Sequence, residues 1–365
     1  MSSKVLKPSI VNSMTTPLVE CVPNVSEGRN QEIINAIADA ITSVPEVMLL
    51  NIDSGISANR TVYTFIGEVN AVFEAAFRMY ERAFELIDMS KHKGSHPRIG
   101  AVDVCPFVAW EGITDNELIP KVAQFAHRVG NELGIAGYFY EKNARSNLRS
   151  NLANIRKGEY EGLQEKLKQR DWRPDFGSIQ PDIISKFGVT VIGSRGILVA
   201  YNVNLIDKDD TIANEIAFEI RELGKIVPAP GGGFVRIPGL LKSVKAIGWY
   251  IPEFNLSQVS FNLVDISVNG MGEVYLLTET LARRRGIELK GSELVGMVPL
   301  HEILRSARYI MERKFIRNIN EYSEEMLVRK AVELMGLEKV KPFDPNEHII
   351  EYKIKKLKHQ QQHSM

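Results

Sequence analysis

The stretch that most limits the architecture is Lys91-His-Lys-Gly-Ser-His-Pro-Arg-Ile-Gly100, followed at once by the run from Val102 to Val108. Gly94, Pro97 and Gly100 exclude a helix there, since proline removes a backbone donor and glycine adds chain entropy. The run from Val102 to Val108 is largely apolar and contains Cys105. Together they read as a polar loop entering a buried strand. Such loops commonly carry reactive side chains on a rigid support. This loop holds His92, His96, Lys91, Lys93 and Arg98, and a histidine there titrates near neutral pH.

Strand and helix signals alternate on both sides of it. Leu18 to Pro23 reads as a strand, Asn24 to Asn30 as a turn, and Ile33, Ile34, Ile37 and Ile41 recur at helical spacing. Val47 to Ile52 is a second strand ending at Asp53-Ser-Gly55, and Arg60 to Ile66 a third. Residues 70–89 carry Val72, Phe73, Ala76, Phe77, Tyr80, Phe84 and Ile87 on one helical face. Thr114-Asp-Asn-Glu117 is a capping box opening a helix that stops at Gly134. Ala136 to Tyr140 is a strand, and residues 147–168 form a polar helical stretch. Residues 171–188 have the composition of a long loop, and a strand broken at Gly193 to Gly196 follows. The second half repeats the rhythm. Helices are expected over residues 211–223, 273–285, 300–314 and 323–335, and strands over 244–250, 258–264 and 349–352. Pro228-Ala-Pro-Gly-Gly-Gly233 lacks a phosphate-loop ending and reads either as a mobile lid or as a tolerated surface insertion.

The fold class is therefore α/β, an α+β sandwich of two subdomains. Each is expected to hold a mainly antiparallel or mixed sheet covered by helices. The expected organisation is a disordered lead-in over 1–16, one subdomain over 17–197, a second over 198–345, and a short final strand with a basic tail over 346–365. Charge decides the partner class: Lys+Arg and Asp+Glu are both 45. Such balance disfavours a phosphate-driven nucleic-acid binder, and no run of about 20 apolar residues suggests a membrane span. Two cysteines are too few for a disulfide scaffold or a cysteine zinc site, which fits a reducing, cytoplasmic setting.

Several residues carry candidate chemistry. His92 and His96 stand four apart, but Gly94 and Pro97 speak against the helix that would present them to a metal, so no metal is expected. His96 reads either as a general acid–base or as a satisfied loop histidine, with Arg98 beside it able to hold an anion. Asp53 either orients an imidazole or closes an Asx turn. Asn59 and Arg60 either bind a carboxylate, which suits arginine's paired donors, or cap the next strand. Cys105 reads as a buried, inert thiol.

Long motifs in a fixed order give a more specific signal. They include Leu18-Val-Glu-Cys-Val-Pro-Asn-Val-Ser-Glu-Gly28, Asn59-Arg-Thr-Val-Tyr-Thr-Phe65, Ile87-Asp-Met-Ser-Lys-His-Lys-Gly-Ser-His-Pro-Arg98, Asp103-Val-Cys-Pro-Phe107, Ile155-Arg-Lys-Gly-Glu-Tyr-Glu161 and Pro174-Asp-Phe-Gly177. In the second half stand Ala200-Tyr-Asn-Val-Asn-Leu205, Gly248-Trp-Tyr250, Gln258-Val-Ser260 and Leu294-Val-Gly-Met-Val-Pro-Leu300. With these the chain resembles the glutamate formimidoyltransferase (formiminotransferase) family over about residues 17 to 352.

The resemblance implies transfer of a formimidoyl group from N-formimidoyl-L-glutamate to tetrahydrofolate in histidine breakdown, with tetrahydrofolate as co-substrate. It also implies two subdomains with folate between them, and a homodimer acting on small molecules. It puts the catalytic histidine at His96 with Asp53 as its partner. Folate binding falls on Gly177, Ser178, Ile179, Gln180, Pro181, Asp182, Ile183, Ile184, Ser185, Lys186, Phe187 and Gly188. On the chemistry of the residues themselves, Asn59, Arg60 and Arg98 are expected to bind substrate, Arg60 and Arg98 through its carboxylates. An imidazole near pKa ~6.5 is expected to relay the proton. The animal enzymes carry a cyclodeaminase domain after this region, so a separate cyclodeaminase is expected as partner. Formyl transfer from N-formylglutamate, cyclisation of 5-formyltetrahydrofolate, and non-catalytic folate binding are the alternatives.

Overall fold

A computed structural model describes residues 16–252 and 254–363, so most of the expected N-terminal lead-in lies outside the described residues. Contact density divides the chain between Arg195 and Gly196.

The first unit runs β1 (Leu18–Cys21), β2 (Asn24–Val25), α1 (Gln31–Thr42), β3 (Val47–Gly55), β4 (Arg60–Glu68), α2 (Val69–Leu86), β5 (Val102–Glu111), α3 (Asp115–Glu132) and β6 (Gly137–Phe139). Three short helices follow, α4 (Asn147–Ser150), α5 (Leu152–Arg156) and α6 (Leu163–Leu167), then α7 (Pro181–Phe187) and β7 (Thr190–Ser194). β1 and β2 share one lane between β4 and β5, with β3 outside β4. β5, β7 and β6 are parallel, which makes the sheet mixed. Alternation along these strands sorts the side chains. Cys105, Phe107, Phe139 and Ile192 enter the core beneath α1, α2 and α3, whereas Val104, Tyr138 and Val191 enter a smaller core on the opposite face. Tyr80 of α2 is anchored by a 2.6 Å hydroxyl contact with Thr190. Cys21 and Cys105 are both free and fully buried on adjacent strands, with sulfurs 3.6 Å apart.

The second unit runs β8 (Val199–Leu205), α8 (Asp210–Ile220), β9 (Lys225–Pro228), β10 (Phe234–Ile237), β11 (Val244–Ile251), β12 (Leu256–Leu263), α9 (Met271–Arg284), β13 (Leu289–Val295), α10 (Leu300–Arg313), α11 (Glu324–Met335), α12 (Pro345–His348) and α13 (Ile350–His363). β11, β12, β8 and β13 form an antiparallel sheet in that order. α8 and α9 close one of its faces over Tyr201, Val203, Val259 and Phe261. Two α/β units are thus present, as the alternating signals indicate.

Three local expectations are corrected. Ile349 makes only an isolated bridge to Val298, and helix α13 begins at Ile350 instead of a strand. Lys353 and Lys356 reach back to Glu347 and favour that helix. The loop expected over 171–188 ends in α7, because Pro181 suits a first helical turn and Ile184 and Phe187 share a buried face. The stretch 147–168 is three short helices, separated at Asn151 and around the positive-φ Gly158. Pro228-Ala-Pro-Gly-Gly-Gly233 lies at the turn of an exposed hairpin formed by β9 and β10.

Candidate active site

Three connections of the first unit converge on one face of its sheet: the turn after β2, the turn between β3 and β4, and the loop before β5. Asn59 joins them. Its side-chain oxygen accepts from the Gly28 N–H at 3.0 Å, and its amide donates to the Lys93 carbonyl at 2.9 Å. Its own carbonyl accepts from His92 Nε2 at 2.8 Å. Asn59 holds a left-handed φ of 48°, which asparagine tolerates better than most residues. The turns touch so closely that a Cβ on Gly28 would lie 2.5 Å from Arg60 N, and one on Gly94 2.2 Å from Ala58 O. Asn59 is therefore occupied in holding the three turns together.

His92 is also structural. Donating through Nε2 to a carbonyl fixes its tautomer, and Nδ1 then accepts from Arg98 Nε at 3.2 Å. Burial holds its pKa below the usual histidine range. Among the described residues no group of three or more His, Cys, Asp or Glu is placed to share a metal ion.

His96 is half-buried in the converged turns. Arg60 Nη1 lies 2.7 Å from His96 Nε2 and 2.9 Å from Asn24 Oδ1. Guanidinium only donates, so Nε2 is the acceptor and the ring is the neutral Nδ1–H tautomer. Nδ1 is buried without a hydrogen-bond partner. Burial first, then the charges of Arg60 and Arg156, hold the ring's pKa down at about 4, against an opposing pull from Asp103. The expected value near 6.5 is therefore corrected. The half-buried guanidinium of Arg60 has its own pKa lowered, by burial and by Arg156. Among the described residues no carboxylate lies within ion-pair distance of it.

Two expected roles change. Asp53 does not bond to His96. Register puts it opposite Val62, its side chain is exposed, and its field acts on Arg60. The acid acting on His96 is Asp103, fully buried, which accepts from the Ile99 N–H at 2.9 Å and from Arg156 Nε at 2.9 Å. Sequence reading gave Asp103 and Arg156 no role. The available signal was a carboxylate inside an otherwise apolar run.

Arg98, expected to hold a substrate carboxylate, is already paired with carboxylates of the chain itself. It is buried, with Glu159 at 3.0 Å and Glu161 at 2.7 Å. Arg98 in turn holds the Glu161 carboxyl down at about 2. These three side chains line an open cleft of about 450 Å³ together with Lys93, Gly94 and Gly158. Neither His96 nor Arg60 lines that cleft.

The segment from Gly177 to Gly188 is attached to the same loop. Phe187 O accepts from Ala101 N at 2.7 Å, Ile99 O accepts from Val189 N at 3.0 Å, and Lys186 O accepts from Met89 N at 2.7 Å. Ile184 and Phe187 are spent on core packing, whereas Ser178, Ile179, Gln180, Pro181, Asp182 and Ser185 are exposed.

Residues 18–195 match the family described as Formiminotransferase domain, N-terminal subdomain, and residues 200–355 match Formiminotransferase domain. The formimidoyltransferase-cyclodeaminase of Sus scrofa is 44% identical over 335 residues, covering 92% of this chain. This chain spans 59% of that relative's length. The glutamate formimidoyltransferase of Streptococcus pyogenes serotype M1 is 40% identical, covering 81% of this chain and 93% of its own length. That of Thermoplasma acidophilum is 36% identical, covering 87% and 97%.

Proposed function

Because the chain belongs to the formiminotransferase family, we propose that it transfers the formimidoyl group of N-formimidoyl-L-glutamate to N5 of tetrahydrofolate, as in histidine degradation. L-Glutamate and 5-formimidoyltetrahydrofolate are the products. The observation that supports the chemistry is a neutral imidazole whose acceptor nitrogen faces an arginine without a carboxylate partner among the described residues.

N5 attacks the amidine carbon and a C–N bond forms. The tetrahedral intermediate collapses by breaking the bond from that carbon to the glutamate nitrogen. One proton must leave N5 and one must reach the departing nitrogen. His96 Nε2 takes the first and delivers the second, so the ring ends neutral as it began. In the free protein Nε2 is occupied by Arg60. A donor carboxylate gives Arg60 a better partner through paired charge-assisted hydrogen bonds. It draws the guanidinium from Nε2, cancels the neighbouring charge, and makes the ring more basic when substrate is present. Asp103 and Arg156 form the fixed polar floor beneath the loop. The exposed side chains of Ser178, Ile179, Gln180 and Asp182 are the surfaces of the α7 segment offered to folate.

The test is an assay of the purified chain with tetrahydrofolate and formimidoylglutamate, read by chromatography of both products, with N-formylglutamate as comparison donor. His96→Gln is expected to lower turnover by ~10²–10⁴, the usual worth of a general acid–base. A folded His96→Gln protein with unchanged turnover would remove the imidazole from the reaction. Light scattering of the same preparation tests the homodimer that the family resemblance implies.

A further inference from the structure

Lys166 of α6 is a charged side chain that the transfer chemistry above leaves unused, and it is only 7% exposed. A lysine so deeply buried usually has a carboxylate to balance it. Among the described residues none lies within ion-pair distance of this one. Its three donors meet backbone carbonyls instead: Asn154 at 3.2 Å, Lys157 at 2.8 Å, and Ile155. Nζ also lies 4.0 Å from the centroid of the Trp172 ring. Burial, then the charge of Lys157, lowers the pKa of the ammonium to about 8, so it keeps its proton at neutral pH.

The carbonyls it gathers sit where the site needs a fixed point. Asn154 and Ile155 belong to α5, and Lys157 follows its last residue. A helix this short does not hold itself together in water, and its final carbonyls have no donor within the helix. The Glu159 N–H takes the Arg156 carbonyl at 2.7 Å. Lys166 and Glu159 between them therefore satisfy the carbonyls of 154, 155, 156 and 157 in succession. Arg156 stands inside this run. Its Nε donates to one oxygen of Asp103, whose other oxygen accepts from the Ile99 N–H. Beyond it, the Tyr160 N–H donates to the Arg98 carbonyl at 2.8 Å. The segment that Lys166 anchors thus supports the His96 loop at Arg98 and, through Asp103, at Ile99.

Arg156 and Asp103 pull the His96 ring in opposite directions, the first against its protonation and the second toward it. The ring is therefore sensitive to where Arg156 stands. We propose that Lys166 is a positioning residue for the transfer reaction: by gathering the end carbonyls of α5, its ammonium fixes Arg156 against Asp103 beneath the His96 loop. An ammonium suits this task because three carbonyls converge on one point, whereas a guanidinium spreads its donors over a plane. Lys166 acts through Arg156 and not on the reacting atoms. The kinetic consequence rests on the reading given under Proposed function; the effect on the ring does not.

The experiment reads the ring separately from turnover. The His96 midpoint is followed by NMR in the full chain for the wild type, Lys166→Met, Arg156→Met and the double variant, with thermal unfolding checking integrity. Lys166→Met keeps a stem against Trp172 and removes every donor. With Arg156 released, the midpoint is expected to rise by about half a unit or more. Turnover of formimidoylglutamate with tetrahydrofolate is expected to fall about tenfold in kcat, with KM changed less than about twofold. Lys166→Met should add nothing to either reading in the Arg156→Met background, because both changes act on one contact. If Lys166→Met does not fold, Lys166→Gln, which keeps an amide donor, takes its place; if the double variant does not fold, the single-variant midpoint decides. An unshifted midpoint in the folded variant, an unchanged kcat, or a loss that adds in full to that of Arg156→Met overturns the proposal. If the midpoint shifts but the wild type transfers no formimidoyl group, the transfer reading fails and the placement of Arg156 by Lys166 stands. If the wild type transfers while the variant keeps both midpoint and kcat, this proposal fails alone.

Discussion

Replacing Arg60 by Gln separates the two causes that keep His96 neutral. The ring sits at about 4 instead of 6.5. At ~1.4 kcal/mol per unit, the environment favours the neutral form by roughly 3 kcal/mol. The folded pKa is depressed, so the unfolded chain takes up this proton first as pH falls. Stability from His96 is therefore complete above about 6.5 and is lost progressively as pH drops to about 4. Arg60→Gln removes a like charge but leaves burial, the larger cause, and Arg156. The midpoint should rise by about one unit and stay below 6.5. NMR titration of the ring, assigned by its loss in His96→Gln, reads the shift directly. Kinetics gives a second reading. The acid limb of kcat/KM reports the free enzyme and should lie near pH 4, whereas the limb of kcat should lie higher, because the bound carboxylate neutralises Arg60. A wild-type midpoint near 6.5, or one that Arg60→Gln leaves in place, would refute the electrostatic argument. Coincident limbs would refute the coupling to substrate.

Three other perturbations test the frame. Asn59→Ala leaves the Gly28 N–H and the Lys93 carbonyl without their partner and should cost about 2–4 kcal/mol in urea unfolding, with the denaturant slope unchanged. Arg156→Met strands the buried Asp103 carboxylate and should cost about 3–5 kcal/mol. Adding Asp103→Asn should recover part of that loss, and a double variant no better than the single would show the pair is not coupled. Gly94→Ala forces a methyl to within 2.2 Å of the Ala58 carbonyl and should cost more than ~2 kcal/mol by thermal unfolding.

Local chemistry made much of this fold legible. Gly94, Pro97 and Gly100 announce the loop before β5, and the apolar stripe from Val72 to Phe84 announces α2. Two helices were hidden by composition. Pro174, Gly177 and Pro181 obscure α7, whose Ile184–Phe187 face is only two residues wide. Ile349-Ile350-Glu-Tyr352 looks like a strand because of its β-branched content, yet Ile350, Ile354 and Leu357 fit a helix and Glu347 pairs with the lysines that follow. At the site, the structure brings His96 and Arg60 together and surrounds them with groups that sequence reading did not single out. Strand register, invisible in the sequence, turns Asp53 outward and leaves Asp103 beneath the loop. Arg98 beside a reactive histidine looks like an anion binder, but Glu159 and Glu161 lie about sixty positions away in the chain and claim it.

The paired thiols of β1 and β5 offer a practical consequence. Both cysteines of the chain belong to the first unit, and neither is accessible while its sheet is closed. Burial also pushes the Cys21 thiol up and away from its reactive thiolate form. A thiol-specific dye added to the native protein will therefore label only in moments when that sheet opens. Labelling rate becomes a clock for the opening of the unit that holds both thiols.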